Sequence, residues 1–380
     1  MAVARIPVQP ERRPPGFVLL LCLSLALVVI GLVMVLSASS VEALAQYGSS
    51  WVFFEKQLMW VAVGAAVMAA TIRVDYHRWR ALAVPGLVVT FLLLFAVLVP
   101  HIGVTVGGSS RWLGFGSLRV QPSELAKLGL VIYLADVVSR RMDRTGEAGS
   151  VLKPVMIVFG LVVALVMKQP DMGTALVISA IVFGVLFASG VRGATMAKLG
   201  LGAAGAAFLL GMAEPYRKAR LLSFMHPWAD RTTSGYQVVQ SLVGLGSGGL
   251  AGVGLGASRA KWGFLPNAHT DFIFAIIGEE LGLLGSVLVV SLFVGFALLG
   301  VRAASRAPDR FGSILATGVT IWIVAQAVLN IGAVIGVLPV TGVPLPLISF
   351  GGSSLVIIMG AIGILLNVAA QGSRAAAADL

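Results

Sequence analysis

Ionisable residues lie beside and within an apolar stretch in the segment LPNAHTDFIFAIIGEELG, which runs from Leu265 to Gly282. His269 and Asp271 precede the apolar residues, and two adjacent acids, Glu279 and Glu280, lie among them. A partly desolvated carboxylate has a raised pKa, which suits a general base working near neutral pH. We therefore expect Asp271 to act as a general base, with His269 orienting it or serving in its place. The alternative is that Asp271 only caps a helix.

The two acids deeper in this segment have a different interpretation. Acids within a membrane span usually face the interior of the helix bundle, where they find a partner. We expect Glu279 and Glu280 to make interior polar contacts that hold their helix in place, and a direct catalytic role is the less favoured reading.

A second polar group precedes another apolar run, in SSRWLGFGSLRVQPSELAKLGLVIYL. Glu124 and Lys127 are three residues apart, so they share one face of a helix. Arginine grips phosphate through a bidentate fork, and lysine acts as a point charge. We expect Arg119 and Lys127 to hold a phosphate near the outer membrane surface, with Glu124 orienting them. A simple ion pair at the end of a helix is the alternative.

The segment MKQPDMGTALV brings a third group of polar residues between two apolar runs. Pro170 breaks the helix there, and Asp171 then occupies a position typical of a helix N-cap. A cap combined with a Lys168–Asp171 pair explains these residues. The functional alternative is that Gln169 and Asp171 line the same outer cavity as Asp271.

A long segment from 214 to 271 begins with basic residues, including Arg217, and ends rich in glycine. Its glycines match the spacing G-x-G-x-x-G at Gly244, Gly246 and Gly249. No strand precedes this match, so we reject a dinucleotide site and expect the glycines to permit tight turns and close backbone approach. A polar stripe at helical spacing is expected to face the cavity and comprises Tyr236, Gln237, Gln240 and Ser241.

Membrane helices must position all of these residues. The 380-residue chain is 58% hydrophobic and only 11% charged, whereas soluble domains carry about 25% charged residues. Apolar runs occur near 16–38, 57–72, 81–100, 122–138, 152–168, 172–189, 193–213, 272–300, 311–335 and 349–370. Runs of about 18 or more residues mark membrane helices, and the second run is short, so its helix is expected to begin near Trp51. The sequence thus predicts an all-α polytopic membrane protein with about ten transmembrane helices and a large extracytoplasmic loop, 214–271, between spans seven and eight.

The predicted organisation is a cytoplasmic tail over 1–15, a single membrane domain over 16–370, and a second cytoplasmic tail over 371–380. Most lysines and arginines fall in segments that face one side, which predicts that both termini are cytoplasmic. This distribution explains the net charge of +11 without nucleic acid. Basic residues on the outer side work against that rule. An outward-facing anionic ligand would explain them, and ordinary solvation of the loops is the alternative. The candidates for binding such a ligand are Arg111, Arg119, Lys127 and Arg217.

Two further polar features lie near the end of the chain. Gln326 and Asn330 are four residues apart in the ninth apolar run, where packing between helices is the favoured role. The segment LPVTGVPLPLISFGGSSL then places prolines and glycines at a membrane boundary. Irregular backbone is tolerated there only when it is buried in protein or lines a cavity.

Several of these segments resemble the signature segments of the SEDS family (shape, elongation, division and sporulation). They are QPSELAK, QPDMGTALV, SGYQVVQSLVGLGSGGLAGVGLG, LPNAHTDFIFAIIGEELG and PLPLISFGGSSL, which occur in family order and cover nearly the whole chain. The resemblance is greater to the division branch of the family than to its elongation branch. Two departures are Asn267, where the family usually has an acid, and Phe350, where a tyrosine is usual.

This resemblance implies a peptidoglycan glycosyltransferase in the bacterial cytoplasmic membrane, with its active site facing outward. Such an enzyme polymerises lipid II into a nascent β-1,4 glycan strand and releases undecaprenyl pyrophosphate. The family's essential aspartate falls on Asp271, its glutamate and lysine on Glu124 and Lys127, and its arginine on Arg119. The implied partners are a class B penicillin-binding protein and other divisome proteins.

Other functions are compatible with the same residues. A lipid II flippase would use the pyrophosphate-binding cations but need no general base, and a scaffold would only recruit a transpeptidase. A divalent cation, Mg²⁺ or Mn²⁺, suits a site of carboxylates and phosphates. No organic cofactor is expected.

Overall fold

A computed structural model describes residues 14–106, 109–115, 118–213, 224–225, 227–229, 231–233 and 235–378. Arg217 lies outside the described residues, so its predicted phosphate contact has no structural account. Within the described residues the chain is mainly helical. Its α-helices are α1 (Pro15–Tyr47), α2 (Val52–Arg73), α3 (Ala83–Leu98), α4 (Pro122–Thr145), α5 (Leu152–Lys168), α6 (Met172–Ala188), α7 (Gly193–Ala213), α8 (Tyr236–Gly248), α9 (Ile273–Ser305), α10 (Arg310–Val334) and α11 (Gly352–Ala378).

Each of the ten predicted spans coincides with one of these helices, and α8 lies in the predicted outer loop. Seven helical segments of the described chain are long and apolar enough to cross a membrane, and α6 is a shorter apolar helix. The prediction of an all-α polytopic membrane protein is confirmed. The last helix, α11, continues through Ala378, so helix extends into the region predicted as a C-terminal tail.

The bundle is organised around α10 and α11. In their most apolar windows 61% of α10 and 78% of α11 is buried, against 17% for α2. Large apolar side chains on the outer helices, such as Leu92, Phe95 and Leu298, are more than half exposed. In a bilayer these side chains contact lipid, and the central helices position the polar residues.

A small antiparallel sheet lies between α3 and α4, which the sequence did not predict. Its strands are β1 (Gly103–Val106), β2 (Ser109–Phe115) and β3 (Leu118–Val120), in the order β1-β2-β3. The strands are only four, seven and three residues long, so their period-two pattern is weak. The sheet carries Arg111 on β2 and Arg119 on β3.

The segment from 335 to 351 connects α10 to α11 without regular structure, and most of its residues from 341 to 349 are buried. Gly31 of α1 permits close approach, because a Cβ there would lie 2.6 Å from the carbonyl oxygen of Leu347. Leu347 itself has a φ of 65°, a left-handed conformation that is strained for leucine. As expected of irregular backbone at a membrane boundary, part of this segment is buried in protein, and residues 344–347 line a small cavity.

Candidate functional site

Asp271 lies where the predicted outer loop enters α9, and it is partly exposed. The N-cap position of this helix is occupied by Phe272, so Asp271 precedes the cap by one residue. Asn267, which begins the turn into this helix, has a φ of 58°, and asparagine tolerates that conformation well. Its carbonyl accepts hydrogen bonds from the backbone amides of Thr270 and Phe272.

The main chain around Asp271 is fixed by neighbouring elements. The carbonyl of His269 accepts from the backbone amide of Phe350, and that of Thr270 accepts from the Ser349 hydroxyl. The carbonyl of Asp271 accepts from the Asn330 side chain at 2.7 Å. Three successive carbonyls are therefore held by α10 and by the irregular segment. This arrangement limits how far the Asp271 carboxylate can move.

The Asp271 carboxylate faces the irregular segment at Gly342. A Cβ on Gly342 would lie 3.6 Å from Asp271 Oδ2, and Gly342 has a φ of 70°. On α6, a Cβ on Gly173 would lie 2.7 Å from the carbonyl oxygen of Thr341. The strip from 341 to 343 thus passes between Asp271 and the start of α6, where Asp171 is found.

Asp171 caps α6 and contacts Arg111, which is another predicted site residue. Its Oδ1 accepts from the backbone amide of Thr174 at 3.1 Å, which makes Asp171 the N-cap of α6. Arg111 Nη1 lies 3.7 Å from Asp171 Oδ1, and Arg111 Nε donates to the carbonyl of Gln169 at 3.2 Å. Gln121 Nε2 donates to Asp171 Oδ2. The cap interpretation of Asp171 is confirmed, but the predicted pair with Lys168 is not found among the described residues. The cation beside Asp171 is Arg111, which also contacts Gln169.

Glu124 and Lys127 form a buried ion pair in α4, with Lys127 Nζ 2.8 Å from Glu124 Oε1. Lys127 also donates to Gln326 Oε1 at 2.8 Å and lies 5.1 Å from the ring centroid of Trp322. The Ser354 hydroxyl donates to Glu124 Oε2. Lys127 is only 1% exposed. Its charge is balanced inside the protein by these contacts in this conformation.

The side chains of α10 connect these two regions. Gln326 donates to the carbonyl of Pro344, and Asn330 donates to the carbonyls of Val343 and Asp271. Gln326 contacts Lys127 as well, so one helix face links the lysine to the aspartate. The sequence predicted packing between helices for both amides, and the structure adds that they fix the irregular segment.

His269 packs between aromatic rings next to Asp271. Its ring centroid lies 4.7 Å from that of Phe53 and 5.7 Å from that of Phe350, and its Nδ1 lies 3.2 Å from Glu42 Oε2. Burial lowers the pKa of His269, and Glu42 opposes that effect. The imidazole is therefore neutral at pH 7, where it can orient neighbours without adding a buried positive charge.

The other predicted residues are less closely joined to this cluster. Arg119 is exposed on β3. Ser241 is fully buried, and its hydroxyl donates to the carbonyl of Val334 on α10, so it anchors α8. Gln240 is half-buried on the same helix.

Several residues that hold the site were not predicted to do so, notably Gln121, Ser349 and Ser354. Each is a single polar residue whose partner lies more than 50 residues away or on another element. The only local signal is that all three occur inside segments already singled out for other residues.

A pocket of about 10 Å³ opens beside this cluster, which is room for about one water molecule. Its polar lining comes from Ser349 and Ser354, and its apolar lining from the irregular segment and α11. Among the described residues no group of three or more histidine, cysteine, aspartate or glutamate side chains is arranged to hold a metal ion. A metal bound by protein ligands alone does not fit this part of the chain.

Comparisons with known proteins are consistent along almost the whole chain. A model of the FtsW, RodA and SpoVE cell cycle proteins matches residues 17–374. A protein of Geobacter metallireducens named probable peptidoglycan glycosyltransferase FtsW is 40% identical over 93% of this chain and 94% of its own length. Stage V sporulation protein E of Bacillus subtilis is 40% identical over 92% of this chain and 96% of its own.

Solved structures share the fold. A chain from a peptidoglycan synthase complex, described as coordinating polymerization and crosslinking, superposes with a TM-score of 0.75 at 28% identity, covering 96% of this chain and 100% of that one. The rod shape determining protein RodA of Thermus thermophilus superposes with a TM-score of 0.69 at 27% identity, covering 94% and 97%. The SEDS resemblance is confirmed, and this chain belongs to the FtsW, RodA and SpoVE family of cell cycle proteins.

Proposed function

We propose that the protein is a peptidoglycan glycosyltransferase that polymerises lipid II on the outer face of the cytoplasmic membrane. The observation that carries this proposal is the placement of Asp271. Its carboxylate is partly exposed at the outer end of α9, while three successive carbonyls, those of residues 269 to 271, are fixed by hydrogen bonds. A general base needs such a fixed position relative to the hydroxyl that it deprotonates. The relatives named as probable peptidoglycan glycosyltransferases supply the substrate class.

In the proposed reaction, Asp271 accepts the proton of a sugar 4-hydroxyl as its oxygen attacks the anomeric carbon of the donor. The bond from that carbon to the pyrophosphate breaks, and undecaprenyl pyrophosphate leaves with the bonding electron pair. Attack from the opposite face inverts an α-linked donor to a β-1,4 bond. The product is a glycan strand longer by one unit.

Negative charge grows on the departing pyrophosphate, so fixed cations near it lower the barrier. Arg119 is exposed on β3, and Arg111 is partly exposed beside Asp171. We propose that both contact phosphate directly. The predicted phosphate contact of Lys127 requires the buried cluster with Glu124 and Gln326 to open, and its closed form supports a role in holding α4 against α10.

A divalent cation, Mg²⁺ or Mn²⁺, fits the proposal only when it arrives with the substrate. Magnesium is commonly bound by one or two carboxylates together with phosphate oxygens. Asp271 is the partly exposed carboxylate that would hold such a cation beside a pyrophosphate. The cation would supply charge neutralisation, and proton removal at the acceptor hydroxyl stays with Asp271.

The proposed partner is a class B penicillin-binding protein, because a similar chain occurs in a complex that couples polymerization to crosslinking. Of the two branches of the family, we propose the division role. Relatives named FtsW are about 40% identical to this chain, whereas the elongation protein RodA of Thermus thermophilus is 27% identical.

A polymerisation assay distinguishes the proposed glycosyltransferase from the two alternatives, a lipid II flippase and a scaffold that only recruits a transpeptidase. Purified protein in detergent is incubated with lipid II, with and without the partner transpeptidase, and glycan strands are resolved by gel electrophoresis. We expect strands that lysozyme digests. Movement of lipid II across a vesicle membrane without strand formation would instead establish the flippase. If the protein showed neither polymerisation nor transport, the scaffold would be the remaining function.

A further inference from the structure

The first part of α9 is a separate short helix that carries Asp271 at its outer end. Residues 273 to 280 are all buried, and the helix breaks at Gly282, where φ is 67° and ψ is −162°. Glu279 and Glu280 therefore lie at the inner end of this half-helix. At 1.5 Å per residue, Glu279 is about 12 Å from Asp271 along the helix axis.

The turn that follows α8 forms backbone hydrogen bonds with α9 on both sides of this break. The carbonyls of Glu279 and Glu280 accept from the backbone amides of Val253 and Gly254. In the opposite direction, the amides of Leu283 and Leu284 donate to the carbonyls of Gly249 and Leu250. Backbone groups left unpaired by the broken helix are thus satisfied by one turn, as burial in a membrane protein demands.

The carboxylate of Glu279 lies in a nest of hydrogen-bond donors formed by residues 258–260, which come after that turn and before α9. It accepts from the Ser258 hydroxyl and from the backbone amides of Arg259 and Ala260, at 2.9 and 3.3 Å for the amides. The Ser247 hydroxyl of α8 lies 3.5 Å away. Glu279 is 2% exposed, so this one side chain joins α8, the turn at 258–260 and α9.

The carboxylate of Glu280 makes a second, independent connection. It accepts from the Ser37 hydroxyl of α1 at 2.7 Å and pairs with Lys261 Nζ at 3.3 Å. Lys261 also donates to the carbonyl of Gly256. Both partners of this ion pair are buried, with side-chain exposures of 4% for Lys261 and 0% for Glu280.

We propose that Glu279 and Glu280 are positioning residues for the glycosyl transfer. They fix the half-helix 273–281 against α1, α8 and the 258–261 turn, and so set where Asp271 stands relative to the acceptor hydroxyl. This inference rests on the proposed function. Their role differs from that of Asn330, because they act through the helix, whereas Asn330 holds the main chain at Asp271 itself.

The test compares Glu279→Gln and Glu280→Gln with wild type in lipid II polymerisation, at a temperature at which all three are folded. In Glu279→Gln one carboxylate oxygen becomes an NH₂ group, which faces the backbone amide of either Arg259 or Ala260, so the nest loses an acceptor. A displacement of about 1 Å at a reacting group can cost about a hundredfold in rate. We expect kcat to fall at least about tenfold in each variant, with KM for lipid II within about twofold of wild type.

Two further variants separate positioning from general destabilisation. Asp309→Asn changes a part-buried contact with Tyr76 at the opposite end of the bundle and should retain wild-type kcat. Adding Lys261→Met to Glu280→Gln removes the unpaired buried charge and should restore part of the lost kcat.

The outcomes are distinguishable. Wild-type kcat in both glutamine variants, while Asp271→Asn is inactive, overturns the positioning role and leaves the proposed function intact. A fall in kcat that Asp309→Asn reproduces also overturns it. Wild-type polymerisation by Asp271→Asn contradicts the proposed base instead.

Discussion

The chemistry of Asp271 depends on residues far from it in sequence. Its carbonyl is held by Asn330, and the two carbonyls before it by Phe350 and Ser349. The carboxylate itself points to the strip at Gly342. Position and partial exposure together are what a general base needs, and neither follows from the residue type alone.

The buried pair of Glu124 and Lys127 gives a prediction at this scale. Removing one partner of a buried pair leaves an uncompensated charge and costs about 3–5 kcal/mol. We expect Lys127→Met and Glu124→Gln each to lower the midpoint of thermal unfolding strongly, and the double variant to unfold at a higher temperature than either single variant. Melting curves in detergent measure this. Additive losses in the double variant would show that the two charges do not interact.

His269 gives a prediction for pH dependence. Burial lowers its pKa below the ordinary value of 6.5. As pH falls below 6.5, the unfolded chain gains a proton at this residue and the folded chain does not, so folding stability decreases until the lower folded pKa is reached. The contribution of neutral His269 to folding stability is fully present at pH values above the pKa of this residue in the unfolded chain.

The comparison is between wild type and His269→Phe, which keeps an aromatic ring but does not titrate. Between pH 7 and pH 5 the melting temperature of wild type should fall more than that of the variant. Parallel curves over that range would show that the pKa of His269 is not lowered by folding.

The sequence predicted the charged residues of the site better than the residues that hold them. Asp271, Glu124 and Lys127 were identified because charged residues next to apolar runs are conspicuous and costly. Gln121 and Ser354 are small polar residues without a local pattern, and their roles arise from contacts with Asp171 and Glu124 on other elements.

At the scale of elements, the close packing of α8 on α9 depends on glycine. A Cβ on Gly248 would lie 2.0 Å from the carbonyl oxygen of Gly278, and one on Gly252 would lie 2.1 Å from that of Glu280. No side chain fits at these distances without movement of the backbone. The expectation that glycines in this segment permit close approach is met at both positions.

Two glycines of α8 form a matched pair for a test. Gly246→Ala adds a methyl group with nothing within 4 Å, and alanine favours helix over glycine by about 0.5–1 kcal/mol. Gly248→Ala forces α8 away from α9. We expect Gly246→Ala to retain the wild-type melting temperature or raise it, and Gly248→Ala to lower it sharply. Equal melting temperatures would mean that α8 does not pack on α9 as described.

The long helices could be predicted from apolar runs, and seven helical segments of the described chain are long and apolar enough to cross a membrane. The break in α9 could not be predicted, because a glycine inside an apolar run does not by itself end a helix. Gly282 breaks the helix only because the amides and carbonyls around it find partners in the turn after α8. The three-stranded sheet escaped prediction for a similar reason, since its short strands depend on each other.

At the scale of the whole molecule, the distribution of basic residues implies an orientation. Arginines and lysines concentrate in segments predicted to be cytoplasmic, which include the connection between α4 and α5. We therefore predict that the site formed by Asp271, Asp171 and Arg111 lies on the outer side. That side is where the proposed substrate and the growing strand would be found.

Cysteine labelling tests this orientation. Cys22, the only cysteine, is replaced by serine, and a single cysteine is introduced as Thr232→Cys or Glu147→Cys, both at exposed positions. In intact cells a membrane-impermeant maleimide should label Thr232→Cys, and it should label Glu147→Cys only after permeabilisation. The reverse pattern would place the proposed site on the cytoplasmic side.

The central claim is that Asp271 is the base in a polymerisation reaction. The most direct measurement is the initial rate of lipid II consumption by purified wild type, Asp271→Asn and the control Asp309→Asn, at equal folded concentration. Asparagine keeps the shape of the side chain but cannot accept the proton, so the rate should fall at least about a hundredfold, while the control stays near wild type. Polymerisation by Asp271→Asn at the wild-type rate would contradict the account.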